Sequence, residues 1–240
     1  MFDKQIKYSS MASKMCIISY FHKVYKFPDP TVDYMVKRTL QGFRKLAQQP
    51  QSKIPISIEM LELMLSKCHV LGLSPYCTKL LKSIISMGFF ALLRPGEIVE
   101  SHNTIQLSDV FMQNNTIVID FKKYKCSKGI PNCVSVSKID GVCCPHYNLA
   151  NYLQCRGSKP GALFCLYNDK PLSYKMLVEW FAILVNVCKL PKSVTLHCLR
   201  VGGATHLALL GKSDSQIQRS GRWSGRGFDS YLQINSISIW

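Results

Sequence analysis

His197 and Arg200 stand three residues apart in the run LHCLRVGGATHLALLG, a spacing that puts both on one face of a helix. The run SGRWSGRGFDSYLQ follows, with Arg222, Trp223 and Tyr231. Far upstream, ALLRPGEI holds Arg94 and Glu97, and FKKYKCSKG holds Lys123, Lys125 and Lys128. Together these residue types suit attack on a phosphodiester. A pentavalent phosphate gathers charge on its non-bridging oxygens, and arginine meets that charge with a planar fork that stays protonated. The attacking group must be a positioned hydroxyl, which a tyrosine supplies, and the leaving oxygen needs a proton. Aspartate and glutamate do not cluster among these residues, so a two-metal mechanism has no support. Tyr231 or Trp223 alone would read as a packing residue; the array gives them chemical meaning. His206 reads as structural, and Glu97 as a helix-start or arginine-orienting carboxylate. Cys133, Cys143, Cys144 and His146 lack a paired Cys-x-x-Cys framework, so no zinc site is expected.

The elements that must position these groups are mostly helical. PTVDYMVKRTLQGFRKLAQQ starts at Pro30-Thr31 and carries Val32, Met35, Val36, Leu40, Phe43 and Leu46 on a helical period. Its Lys37, Arg38, Arg44 and Lys45 recur about two turns apart, as a strip that either faces solvent or meets phosphates. QQPQSKIP (48–55) reads as a linker. Ser57 caps the next helix and Gly72 closes it. Ser74-Pro75 opens a run that is apolar almost all round and therefore expected at the centre of the fold. That run breaks at Arg94-Pro95-Gly96, where Pro95 suits a first turn and Glu97 its positive end.

The period then changes to two, through Ile117, Ile119 and Phe121 and again through Val134 and Val136, with Gly129, Pro131 and Asn132 between. This predicts a β-hairpin with a basic tip. Helices resume with PHYNLANYLQCR. They continue with SYKMLVEWFAILVNVCKL, whose Met176, Leu177, Trp180, Phe181, Leu184 and Cys188 form one core stripe. The His197 helix ends at Gly211, and Ser213 with Gln216 makes a capping box for another. Two short helices joined this way also resemble a helix-turn-helix, which would bind DNA without cutting it. The expected fold class is mainly α with a small antiparallel β-sheet or hairpin (α+β). A helical fragment over residues 1–50 precedes a domain over residues 55–240.

Lysine and arginine number 30 against 14 acidic residues, for a net charge of +16, while 47% of residues are hydrophobic. Such a composition excludes a disordered chain and calls for a polyanionic partner, nucleic acid before an anionic membrane. The most apolar stretch, IISMGFFALL, falls short of the roughly 20 residues of a membrane span. No signal peptide is read at the start. The 11 cysteines are odd in number and scattered, as expected of reduced thiols in an intracellular protein.

In their order and wording the four motifs resemble the tyrosine recombinase (phage-integrase) family, most closely the branch carried by DIRS-type and Crypton-type mobile elements. ALLRPGEI resembles its first-arginine motif and FKKYKCSKG its lysine hairpin. HCLRVGGATHLALLG resembles its His-x-x-Arg box, and SGRWSGRGFDSYLQ its closing tyrosine box. DGVCCPHYNLANYL matches the way this branch leaves the hairpin. The resemblance covers residues 55–235 as the catalytic domain, with residues 17–50 similar to the last part of a DNA-clamping domain.

The resemblance implies a nuclear enzyme that cuts and rejoins double-stranded DNA to integrate or recombine a mobile element. Tyr231 would form a 3′-phosphotyrosyl link, Arg94 and Arg200 would hold the phosphate, and His197 would handle the tyrosine proton. Trp223 would stand where many relatives have a second histidine; its indole N–H donates one hydrogen bond but moves no proton. Lys125 would protonate the 5′ oxygen, with Lys123 and Lys128 as alternatives. Lys37, Arg38, Arg44, Lys45, Lys123, Lys128 and Arg222 would contact DNA. No metal or other cofactor is implied. A homo-oligomer is implied, a tetramer on DNA, together with a longer clamp and a further helix beyond Tyr231, so this sequence reads as a truncated or decaying copy or an incomplete gene model. The alternative is a domesticated or lapsed module of the same fold that binds DNA without turnover.

Overall fold

The computed structural model describes residues 6, 8–46, 54–122, 124 and 132–232. The chain forms two compact units, Met1–Ser52 and Lys53–Trp240. In the first, α1 (Tyr8–Val24) packs on α2 (Tyr34–Leu46). The expected start at Pro30 is a separate 3₁₀ turn, Pro30–Val32, because Asp33 caps α2 by accepting from the Met35 N–H at 2.8 Å. Asp29 ties that turn to α1, accepting from the Ser19 hydroxyl at 2.6 Å and the Thr31 N–H at 2.9 Å. Those bonds from Ser19 and Thr31 hold its carboxyl down at about 2. Lys37, Arg38, Arg44 and Lys45 are all exposed on α2. Arg38 lies over the Tyr34 ring at 5.3 Å and donates to its hydroxyl at 3.1 Å.

The second unit is built around α4 (Pro75–Phe90), which packs on α3 (Ile58–Lys67), α6 (Pro145–Arg156) and α8 (Leu196–Leu209). Its Leu80, Leu81, Ile84 and Ile85 are fully buried, each worth about 1.5–3 kcal/mol of hydrophobic free energy. Ser57 caps α3 by accepting from the Met60 N–H at 3.3 Å, and Gly72 closes the following 3₁₀ turn at φ +66°. In α7 (Tyr174–Val187) the expected stripe is the buried one, with Leu177, Phe181 and Leu184 inside. The remaining helices are α5 (Pro95–Ile98) and α9 (Asp214–Gly221), followed by a 3₁₀ turn, Arg226–Tyr231.

An antiparallel sheet of β1 (Val110–Gln113), β2 (Thr116–Phe121) and β3 (Asn132–Ser137), in that order, flanks the helices. Ile117 pairs with Val136 and Ile119 with Val134, so the alternating apolar positions of both strands face the core. Strand β1 extends the sheet beyond the expected hairpin. Among the described residues no helix is long and apolar enough to cross a membrane.

Candidate active site

Helix α8 begins at Leu196, which puts His197 in its first turn and Arg200 one turn later. It lies unusually deep. A Cβ at Gly202 would overlap the Ile56 carbonyl, and one at Gly203 the Phe89 carbonyl at the end of α4. Only glycine permits this approach. Arg200 is consequently fully buried. Its Nη1 donates to the Leu92 carbonyl and its Nη2 to the Gly221 carbonyl, while its Nε–H has no partner among the described residues. The guanidinium carbon sits 4.2 Å from the Trp223 ring centroid and 5.8 Å from that of Tyr231.

Tyr231 ends the 3₁₀ turn after α9, and its carbonyl accepts from the Thr205 hydroxyl of α8 at 3.0 Å. Its ring centroid is 5.2 Å from His197 and 5.0 Å from Trp223. A small apolar cluster of Leu92, Ala204, Ile217 and Phe228 supports Trp223 and Tyr231 from behind. A Cβ at Gly221 would collide with the Trp223 ring, so that glycine is part of the support.

Arg94 caps α5, and its side chain is 18% exposed. Its Nη1 donates to Glu97 Oε1 at 3.1 Å, and its Nη2 to the carbonyls of Gly221 and Arg222 at 3.4 and 3.3 Å. Arg94 and Arg200 thus share the Gly221 carbonyl. The orienting role expected for Glu97 is visible here: the carboxylate is buried, accepts from the Arg94 N–H at 2.7 Å, and also pairs with Arg222 at 2.8 Å.

Arg222 was expected at a DNA surface, and the structure corrects this. It is 2% exposed; its Nη1 and Nη2 donate to the carbonyls of Ala91 (3.2 Å), Ser220 (3.0 Å) and Leu92 (2.9 Å) and to Glu97, while its Nε–H has no partner among the described residues. The cause is the end of α9, where Arg222 adopts a left-handed φ of +55° and turns inward. Leu92, whose carbonyl serves both Arg200 and Arg222, is also left-handed at φ +50°. Such residues cost ~1–3 kcal/mol each and persist where their surroundings hold them.

The structure therefore brings together Arg94, His197, Arg200, Trp223 and Tyr231. Lys123, Lys125 and Lys128 lie outside the described residues. The sequence did not reveal the carbonyls of Leu92 and Gly221 that hold the arginines; the glycine before Arg222-Trp223 was the available signal. Electrostatically, three guanidinium groups crowd one carboxylate. Burial, then the charges of Arg94 and Arg222, push Arg200 down to about 9. Burial, with Arg94 adding and Glu97 opposing, pushes Arg222 down to about 10. A guanidinium keeps its proton at neutral pH regardless. No group of three metal-ligating side chains occurs among the described residues.

No family model matches the sequence, and no curated protein matches it. Solved structures do match. XerA recombinase superposes with a TM-score of 0.60 at 17% identity, covering 99% of this chain and 83% of that one. The Tn1549 transposon integrase, in complex with circular intermediate DNA, gives 0.64 at 17% identity over 98% and 79% of the two chains. A lambda integrase dimer bound to a core site gives 0.57 at 14% identity over 95% and 65%. These likenesses establish the fold: the mainly helical domain with its small antiparallel sheet has the tyrosine recombinase catalytic-domain fold.

Proposed function

We propose that the protein cuts and rejoins double-stranded DNA through a 3′-phosphotyrosyl intermediate on Tyr231. The observation that carries this reading is the convergence of His197, Arg200 and Trp223 on the Tyr231 ring, with Arg94 bonded to the same carbonyl as Arg200. The Tyr231 hydroxyl attacks the phosphorus, forming a P–O bond to tyrosine and breaking the bond to the 5′ oxygen. His197 takes the phenolic proton, and Arg94 and Arg200 bind the non-bridging oxygens. For this, Arg200 must exchange its carbonyl partners for phosphate oxygens. Trp223 holds Arg200 and Tyr231 in place. Lys125, or else Lys123 or Lys128, delivers a proton to the 5′ oxygen. The link conserves the phosphodiester energy, so rejoining is the reverse attack and needs no nucleotide.

The same reading gives residues 1–50 the role of a partial DNA clamp, with Lys37, Arg38, Arg44 and Lys45 on phosphates. It gives residues 55–240 the catalysis, within a homo-oligomer on DNA. Its setting is the integration or recombination of a mobile element of the DIRS or Crypton type, in the nucleus. Among the solved neighbours, the Tn1549 integrase and the lambda integrase dimer are held on DNA, which supports the general chemistry. The enclosure of Arg200 on two backbone carbonyls favours a second reading, a module that holds DNA without turnover.

A covalent-capture assay separates the two. The protein is incubated without metal with nicked duplexes taken from the DNA flanking its gene, then run on a denaturing gel. The expected result is an adduct that Tyr231→Phe abolishes. Tight binding with no adduct would select the second reading.

A further inference from the structure

We propose that Arg222 is a positioning residue that pins the base of the β2–β3 hairpin to the Arg94–Arg200 cluster and so governs delivery of the leaving-group proton. This rests on the strand cleavage proposed above.

Arg222 stands where four parts of the site meet. Its guanidinium carbon lies 3.8 Å from the ring centroid of Phe121, the last residue of β2. With Trp223 it lines a small cavity that Tyr124 and Asn132 also line, the residues that flank positions 125–131 in sequence. Its nitrogens reach the Ala91 and Leu92 carbonyls, three and two residues before Arg94, and Glu97, which also holds Arg94. Its own carbonyl accepts from Arg94 at 3.3 Å. One side chain therefore joins the hairpin root, the end of α9, the turn before α5 and the shared carboxylate.

The residue type argues for the same role. At φ +55° the backbone would favour glycine. An arginine that accepts this strain, and full burial besides, must contribute through its side chain. Only a planar fork can serve several carbonyls and a carboxylate while stacking flat on an aromatic ring. A lysine ammonium offers no such face.

The test compares two substrates, identical except that the scissile 5′ bridging atom is oxygen or sulfur. An alkoxide needs a proton as it leaves; a thiolate, whose acid has a pKa of about 8.5, departs without one. Arg222→Met and Phe121→Leu should each slow adduct formation about 100-fold or more on the oxygen substrate, the usual contribution of general-acid catalysis. Most of that loss should return on the sulfur substrate. Arg200→Ala, which removes a phosphate ligand, should lose on both. Equal loss on both substrates by Arg222→Met and Phe121→Leu would reduce Arg222 to a fold-holding role and overturn the proposal; so would no loss on either. Phe121→Leu keeps the Arg222–Glu97 pair and carries the test alone if Arg222→Met fails to fold. A wild-type protein that forms no adduct with either substrate would overturn strand cleavage itself, and this proposal with it.

Discussion

Replacing Glu97 by glutamine keeps the shape of the side chain and removes its charge from among three arginines. The Arg222–Glu97 pair is buried on both sides, at 0% and 1% side-chain exposure, with a separation of 2.8 Å. Breaking such a pair from one side costs about 3–5 kcal/mol, because the surviving charge stays buried without its partner. The Arg94 contact adds less, since Arg94 is partly exposed and the glutamine oxygen can still accept from the Arg94 N–H. At about 2–4 °C per kcal/mol for a domain of 150–250 residues, a loss of about 4 kcal/mol lowers Tm by about 8–16 °C. Differential scanning calorimetry at neutral pH reads this directly. The double variant Glu97→Gln/Arg222→Met should recover much of the loss, because it leaves neither charge unpaired. A Tm drop below about 3 °C for Glu97→Gln would refute the reasoning, since it would mean that Arg222 finds other compensation at no cost.

Three further outcomes are expected. Arg200→Ala should lower cleavage by an amount equivalent to about 3–4 kcal/mol, the usual cost of a lost transition-state donor, while DNA affinity falls far less; an equal fall in both, measured by adduct yield and by filter binding, would remove Arg200 from the chemistry. Gly221→Ala should displace the Trp223 ring, which a changed tryptophan fluorescence would report together with lost adduct formation. His206 has its pKa lowered by burial, with Glu59 opposing. Its unfolded form therefore gains a proton first on acidification. The stability it confers is complete above its ordinary 6.5 and is lost as pH falls through the lower folded value. His206→Leu should flatten the decline of Tm between about pH 7 and 5.

Local patterns predicted local structure well. The alternation of Ile117, Ile119 and Phe121 against Val134 and Val136 reports a sheet with one buried face, and the register observed is the one that buries them. Ser57, Ser74 and Ser213 sit at helix starts because each hydroxyl accepts from the backbone N–H three residues on, and Pro95 because the first turn leaves no work for the N–H it lacks. Strand β1 escaped because Val110–Gln113 is four residues long and only half-buried at best, too short for a period to register. Arg222 misled for a different reason. It stands in a run of serine, glycine and arginine broken only by Trp223, as at a surface, but its partner Glu97 is 125 residues away, and no local pattern encodes such a pairing. The candidate site was legible as a set of residue types in order. The carbonyls of Leu92 and Gly221 that orient its arginines were not, because every residue has a carbonyl and only the fold selects two of them.

The glycine pair in α8 also has a mechanical consequence. With no side chain at Gly202, the segment that opens the second unit lies directly on the helix backbone, and the Ile56 N–H donates to the Cys198 carbonyl at 3.4 Å. Cys198 is the neighbour of His197 and stands two residues before Arg200. Tension on residues 54–57 is therefore delivered to the helix that carries both groups, with no soft side chain between to absorb it. The chain entering this unit is thereby anchored to the backbone between His197 and Arg200.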